Sequence, residues 1–285
     1  MNNEQVKTIK NSAFRVWAIV ATSVGLVMLG ILLVKIGMDG LHRITLAFFT
    51  NLPSRRAENA GILTAWAGTL WIMVTTALIA IPIGVGAGIY LEEYNKKGAW
   101  ASFLEINISN LAGVPSIIYG LLGLEFFVRF LHMGESILAG SFTLALLVLP
   151  IVIVSTRESL KAVPKTIREA SYALGASKWQ TTWMQVLPAA AGGIMTGIIL
   201  ALSRAIGETA PLIVVGALTY VPFTPKSVFD SFTVLPIQIF NWVSRPQAEF
   251  LVNAAAGIIV LLLITVLMNG AAVLLRSRWQ KHVKW

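Results

Sequence analysis

The 285-residue chain contains no cysteine, which removes disulfides and thiolate metal sites from consideration. Charge is scarce as well. Asp, Glu, Lys and Arg make up 12% of the residues, against roughly 25% in an average soluble domain. A soluble chain of this length would lack the polar groups to cover its surface, so lipid is the solvent that fits. The three histidines, His42, His132 and His282, are far apart, and no HExxH pair supplies the helical spacing a catalytic zinc needs. No GxxxxGK[ST] loop is present either, so the chain has no phosphate loop of its own, and any ATP hydrolysis must come from another chain.

Apolar residues fill the space that charge leaves, at 56% of the chain. Six stretches have the roughly 20 apolar residues a membrane-crossing helix requires, at about 14–36, 62–90, 111–131, 137–155, 189–218 and 251–275. The first follows Lys7, Lys10 and Arg15, but the run Val16–Val34 is longer than the roughly 7–15 residues of a secretory signal. No small-residue cleavage site follows it, so it reads as an uncleaved first span. The expected class is an all-α polytopic membrane protein of six transmembrane helices. Its expected divisions are 1–61 (tail, first helix and outer loop), 62–280 (the transmembrane domain) and a tail at 281–285.

The net charge of +9 does not point to nucleic acid, because the basic residues flank apolar segments. Fourteen of the 22 fall in the N-terminus, in 91–110, in 156–188 or in the C-terminus, including Lys96, Lys97, Lys281 and Lys284. Seven fall on the opposite side, and Arg204 lies inside a span. The basic side is cytoplasmic in membrane proteins, so both termini are expected in the cytoplasm. Gly84 and Gly88, and Gly193 and Gly197, have the four-residue spacing that lets helices approach closely in lipid. Pro82 and Pro115 mark kinks or breaks.

The segment 156–188 is more than a connector. Pro164 suits a first helical turn, Ile167 and Leu174 recur at helical spacing, and Gly175 suits a left-handed C-terminal cap. Ser177 then caps a second short helix whose apolar face would comprise Trp179, Thr182, Trp183 and Val186. Such a helix–glycine–helix unit either rests on the lipid interface or fits a groove on a partner.

A second feature is Ser203-Arg204-Ala205-Ile206-Gly207-Glu208-Thr209-Ala210-Pro211-Leu212, expected near the middle of the fifth span. A charge there costs about 2.5–3.5 kcal/mol on an insertion scale. Arg204 and Glu208 are four apart and can pair across one helical face. Two roles stay open: an ion pair that locks subunits together, or an arginine fork that faces a translocation path and greets an anion. In the second, Glu208 would position Arg204, and Ser203 and Thr209 would add hydroxyls.

Glu169-Ala170-Ser171, Gly175 and Leu187-Pro188 resemble the EAA loop of ABC importer permeases, with Ser171 and Gln185 departing from the usual pattern. By that resemblance Glu169, Ala170, Gly175, Leu187 and Pro188 contact an ATP-binding subunit and couple its closure to the membrane helices. Arg204 to Leu212, Ile89–Tyr94, Asn110–Gly120 and Leu235–Trp242 resemble, more narrowly, the permeases of phosphate-specific ABC transporters. Ala210-Pro211-Leu212 favours one of that family's two sister permeases. The resemblance implies a type I (MetI-like) importer fold in the cell inner membrane. It implies a homologous sister permease, two ATP-binding subunits that use ATP and Mg, and a periplasmic phosphate-binding protein. The long outer loop from Thr219 to Phe250, rich in proline and aromatics, reads as an ordered segment that helps the binding protein dock. Permeases for phosphonate, molybdate or sulfate share the EAA loop and remain the alternative; an ion-coupled secondary transporter would need no such loop.

Overall fold

The computed structural model describes residues 3–95, 98–217 and 220–280, all helix, turn or irregular chain. Lys96, Lys97, Lys281 and Lys284 from the charge asymmetry, the 281–285 tail, Leu218 at the end of the fifth apolar stretch and Thr219 at the start of the outer loop lie outside the described residues. In chain order the helices are α1 (Asn3–Gly40), α2 (Leu46–Thr50), α3 (Leu63–Ile89), α4 (Ala99–Leu111), α5 (Ser116–Gly123), α6 (Ile137–Lys161) and α7 (Lys165–Ala173). They continue with α8 (Lys178–Thr181), α9 (Leu187–Ala205), α10 (Ala210–Val215), α11 (Leu235–Val243) and α12 (Glu249–Gln280). Three π-helical turns extend them: Tyr90–Tyr94 after α3, Leu124–Phe130 after α5 and Thr182–Val186 between α8 and α9.

Five helical stretches are long and apolar enough to cross a membrane, and a sixth is a pair bent by 101°. The bent pair revises the expectation of a loop at 91–110 before a span at 111–131, and its break falls at Pro115, one of the two prolines expected to mark kinks or breaks. Residues 99–111 are already helical, and the chain turns at Ala112–Pro115 before α5 begins. Pro115 is the cause: its ring disfavours helix at Val114, and it has no N–H to continue the ladder. Pro82 and Pro150, by contrast, are accommodated inside α3 and α6.

The centre of the fold is α6, which has α3 on one side and α9 on the other. Both expected glycine pairs lie at these two contacts. A Cβ on Gly84 would stand 2.7 Å from Val152 Cγ1, and one on Gly88 the same distance from Thr156 Cβ. Cβ atoms on Gly193 and Gly197 would run into the hydroxyls of Ser159 and Ser155. So Val152 and Thr156 face α3, while Ser155 and Ser159 face α9, on two faces of the same stretch of α6. Lipid gives helices no hydrophobic reason to associate, so this close backbone approach supplies the contact.

Around this core the surface is apolar. Every residue of α1 from Lys10 to Lys35 is exposed; α1 meets α12 near its C-terminal end, where Gly40 lies against the backbone of Ala255 and Ala256. On the expected outer side Arg43 organises the chain. Its Nε donates to Asn253 Oδ1 at 2.8 Å and its Nη2 to the carbonyls of Ala57, Glu58 and Ala60. Phe48, Trp242 and Phe250 pack into one buried cluster beside it.

The outer loop is ordered as its composition suggests. The N–H groups of Ile137 and Leu138, unpaired at the start of α6, donate to the carbonyls of Asp230 and Val228. Phe232, Thr233 and Val234 are buried, and Leu235 N donates to Thr69 Oγ1 at 2.9 Å.

Candidate functional site

The helix–glycine–helix unit forms as its local signals predict. Pro164 is the N-cap of α7, Gly175 takes φ +82°, and Ser177 caps α8 in a reciprocal capping box with Gln180. Ser171, the departure from a third small residue, has a use here: its hydroxyl lies 2.8 Å from Thr181 Oγ1 and ties α7 to α8. Ile167 packs on Leu160, Val163, Val186 and Ala190. Glu169, Ala170, Tyr172, Leu174 and Gly175 are left exposed on the outside of the loop, Leu174 at 90%. Leu187 is half-buried and Pro188 exposed at the start of α9.

The expected apolar face of the second helix needs correction. Thr182 and Val186 are buried, but Trp179 and Trp183 are exposed and pair with each other at 5.1 Å between ring centroids. The π-helical turn at Thr182–Val186 is the reason: its wider winding breaks the 3.6-residue spacing from which that face was read.

Sequence spacing gave no sign of what holds the loop. Glu93, in the π-helical turn that ends α3, is buried and meets Arg168 of α7, with Nη2 to Oε1 at 2.6 Å and Nε to the same oxygen at 3.2 Å. The same guanidinium donates to the carbonyls of Val163 and Leu160, both at 2.9 Å, and so caps the C-terminal end of α6. Next to it, Arg157 of α6 bridges Glu92 at 3.3 Å and Glu105 of α4 at 2.7 Å.

The Arg204 region also differs from a mid-helix pair. Helix α9 stops at Ala205, and residues 206–209 form a turn before α10. Pro211 lies in the first turn of α10, where a proline is tolerated; a helix running through it from α9 would set its ring against the carbonyl of Gly207 and lose an N–H. Arg204 therefore sits in the last turn of α9, where the helix dipole favours a cation. Its Nε donates to Glu208 Oε1 at 3.2 Å, with the side chains 44% and 18% exposed. Among the described residues neither Nη group has a protein acceptor. The pair thus forms within the chain, with Arg204 half-exposed at a helix end rather than in mid-helix.

Of the two hydroxyls expected nearby, Ser203 is engaged by the Ile199 carbonyl and by Asn269 Oδ1 of α12. Among the described residues Thr209 reaches only the Gly207 carbonyl, at 3.4 Å. The break also seats α10 on α5: a Cβ on Gly120 would stand 2.7 Å from Pro211 Cα, so this crossing needs glycine. Beneath Arg204, Ala205 and Ile206 share a buried cluster with Tyr119, Val148 and Ala201.

The chain as a whole is similar to known proteins. The probable ABC transporter permease protein YqgI of Bacillus subtilis is 32% identical over 256 residues, covering 85% of each chain. The phosphate transport system permease protein PstA of Yersinia pestis is 36% identical over 247 residues, covering 86% of this chain and 81% of its own. The protein of the same name from Mycobacterium leprae is 38% identical, covering 74% and 70%. Among solved structures, the inward-facing MetNI methionine ABC transporter has a chain that aligns with a TM-score of 0.61 at 18% identity, covering 74% of this chain and 93% of its own. That likeness shows a shared MetI-like permease fold. The model of the binding-protein-dependent transport system inner membrane components matches residues 80–281, from the middle of α3 through α12. The chain belongs to that family of multi-pass inner-membrane transport proteins and is a transporter component, not an enzyme.

Proposed function

We propose that this chain is a permease subunit of an ABC importer that carries inorganic phosphate from periplasm to cytoplasm, driven by ATP and Mg on separate subunits. Relatives named for phosphate transport suggest the cargo. The structural observation that carries the reading is Arg204: half-exposed at a break in an apolar helix, held through Nε by Glu208, with both Nη groups left for an acceptor. A guanidinium offers parallel N–H donors that match two oxygens of a tetrahedral anion. Glu208 orients the fork and lowers its net attraction, which keeps anion release fast. Thr209, half-buried at the same break, is placed to add a hydroxyl.

The loop 156–188 is the coupling element. Its exposed surface, with Glu169, Ala170 and Gly175, enters a cleft on an ATP-binding subunit, while Leu187 and Pro188 lead the motion into α9. This places the loop and both termini in the cytoplasm, in keeping with the basic residues clustered there. The remaining partners are a homologous sister permease beside this chain, a second ATP-binding subunit, and a periplasmic phosphate-binding protein on the outer loop. Residues 62–280 form the transmembrane domain, with 1–61 as an added tail, helix and outer loop.

The test is uptake of labelled phosphate into vesicles holding the assembled complex. Uptake that requires internal ATP and the binding protein is expected. Uptake indifferent to ATP, driven by an ion gradient alone, would overturn the proposal.

A further inference from the structure

Three consecutive residues at the end of α3 each grip a different part of the coupling region. Glu92 meets Arg157 of α6 at 3.3 Å. Glu93 meets Arg168 of α7 at 2.6 Å. The Tyr94 ring lies under Lys178 of α8, with Nζ 5.1 Å from its centroid. These contacts join residues 65 to 84 positions apart in sequence, and all three start from one π-helical turn. π-helical turns are rare and frequently found at functional sites, and their extra residue re-aims side chains that a regular helix would direct elsewhere.

We infer that the π-helical end of α3 is the mount of the coupling loop, and that Glu93 and Arg168 are positioning residues that make α3, the end of α6 and α7 move as one body. The inference rests on the reading of 156–188 as the ATPase-facing loop. The apolar cluster of the loop joins Val163, Ile167 and Val186 to Leu160 of α6, Ala190 of α9 and Val85 and Ile89 of α3. Such contacts are non-directional, so the polar end of α3 is what fixes the orientation of α7 against it. Arg168 fills that role because one planar group meets a carboxylate from α3 and two carbonyls from the end of α6. Breaking one partner of such a buried pair leaves the other charge uncompensated. Glu93→Gln therefore frees Arg168, and the loop can then tilt without carrying α3 along.

The lack of native cysteine permits a direct test. Spin labels at Ala173→Cys on α7 and Ile83→Cys on α3 occupy exposed positions. In the complex with its ATP-binding subunits, the distance between them is expected to stay the same with and without ATP. Glu93→Gln should broaden and shift that distance even without nucleotide, so this result stands whether or not the loop docks on an ATPase. The ATP-binding subunits should still co-purify, because the exposed face with Glu169 and Gly175 is untouched. ATP hydrolysis should continue while phosphate moved per ATP falls by about tenfold or more. A role confined to assembly would lower the yield of complex and leave that ratio unchanged. If Glu93→Gln fails to assemble, Arg168→Lys, which keeps the charge but loses the fork, carries the same measurements with smaller shifts. A label distance that changes with ATP in the otherwise unsubstituted chain, or one insensitive to both substitutions, overturns the inference. Loss of the ATP-binding subunits on Glu169→Lys tests the docking reading separately.

Discussion

Arg204 Nε and Glu208 Oε1 lie 3.2 Å apart across the break between α9 and α10, so the pair spans a turn rather than a helical face. The break fixes what each group can do. The arginine keeps its Nη groups for a second acceptor, and the glutamate, at 18% exposure, is the more enclosed of the two.

Arg204→Lys retains the charge and loses the fork. A hydrogen bond to a charged group contributes about 1.5–3 kcal/mol, so phosphate uptake should fall by about ten- to a hundredfold. Vesicle uptake rates at matched complex content measure this, and a normal rate would exclude two-pronged recognition at Arg204. Glu208→Gln should leave the arginine uncompensated, so that phosphate binds more tightly and leaves more slowly.

Gly175 takes φ +82° with no atom within 4 Å of where a Cβ would stand. Its substitution is therefore a test of backbone alone. Gly175→Val should strain the turn by about 1–2 kcal/mol and misplace α7 against α8, whereas Gly175→Asn, which tolerates this conformation, should do less. Co-purification of the ATP-binding subunits should fall in that order. Equal retention by both variants would show that the turn geometry does not matter for docking.

This loop was legible in the sequence because its signals are local: Pro164, Gly175 and Ser177 each dictate the conformation of their own few residues. Pro115 marked the break in the third apolar stretch, but the one in the fifth was less legible. Hydropathy averages over many residues, and Gly207 and Glu208 are too few to interrupt it. The Glu93–Arg168 pair was invisible, because no periodicity relates residues 75 positions apart. The Trp179 and Trp183 assignment failed for a related reason, since a π-helical turn leaves no clear mark on an apolar pattern. Ser203 shows the limit of composition: a hydroxyl next to Arg204 looks available until Asn269 of α12 is placed beside it.

The glycine contacts of α6 predict a matched pair of stability effects. Gly197→Ala places a methyl against Ser155 Oγ at the α6–α9 contact. Overpacking of this kind costs about 1–3 kcal/mol. Thermal unfolding of the purified protein in detergent should shift downward. Adding Ser155→Gly should restore much of the loss, and no recovery would mean that the crossing is not set by this contact.

Asp230 gives the outer loop a pH dependence. Its carboxylate accepts the N–H groups of Lys226 at 2.7 Å and Ser227 at 2.9 Å, and these two bonds hold its pKa below the ordinary aspartate value. A depressed folded pKa contributes stability that is present above the unfolded value and lost as pH falls through the folded one. Hydrogen exchange at Lys226 and Ser227, corrected for intrinsic rate, should lose protection as acid protonates Asp230. Asp230→Asn should show weak protection that no longer varies over that range.

The central claim is that this permease passes phosphate. Its most direct test is competition in vesicles containing the chain, its sister permease, both ATP-binding subunits and the binding protein, supplied with labelled phosphate and an excess of unlabelled sulfate, molybdate or phosphate. ATP-dependent uptake that only unlabelled phosphate suppresses is the predicted result. Equal suppression by sulfate or molybdate, with either accumulated as fast as phosphate, would contradict it.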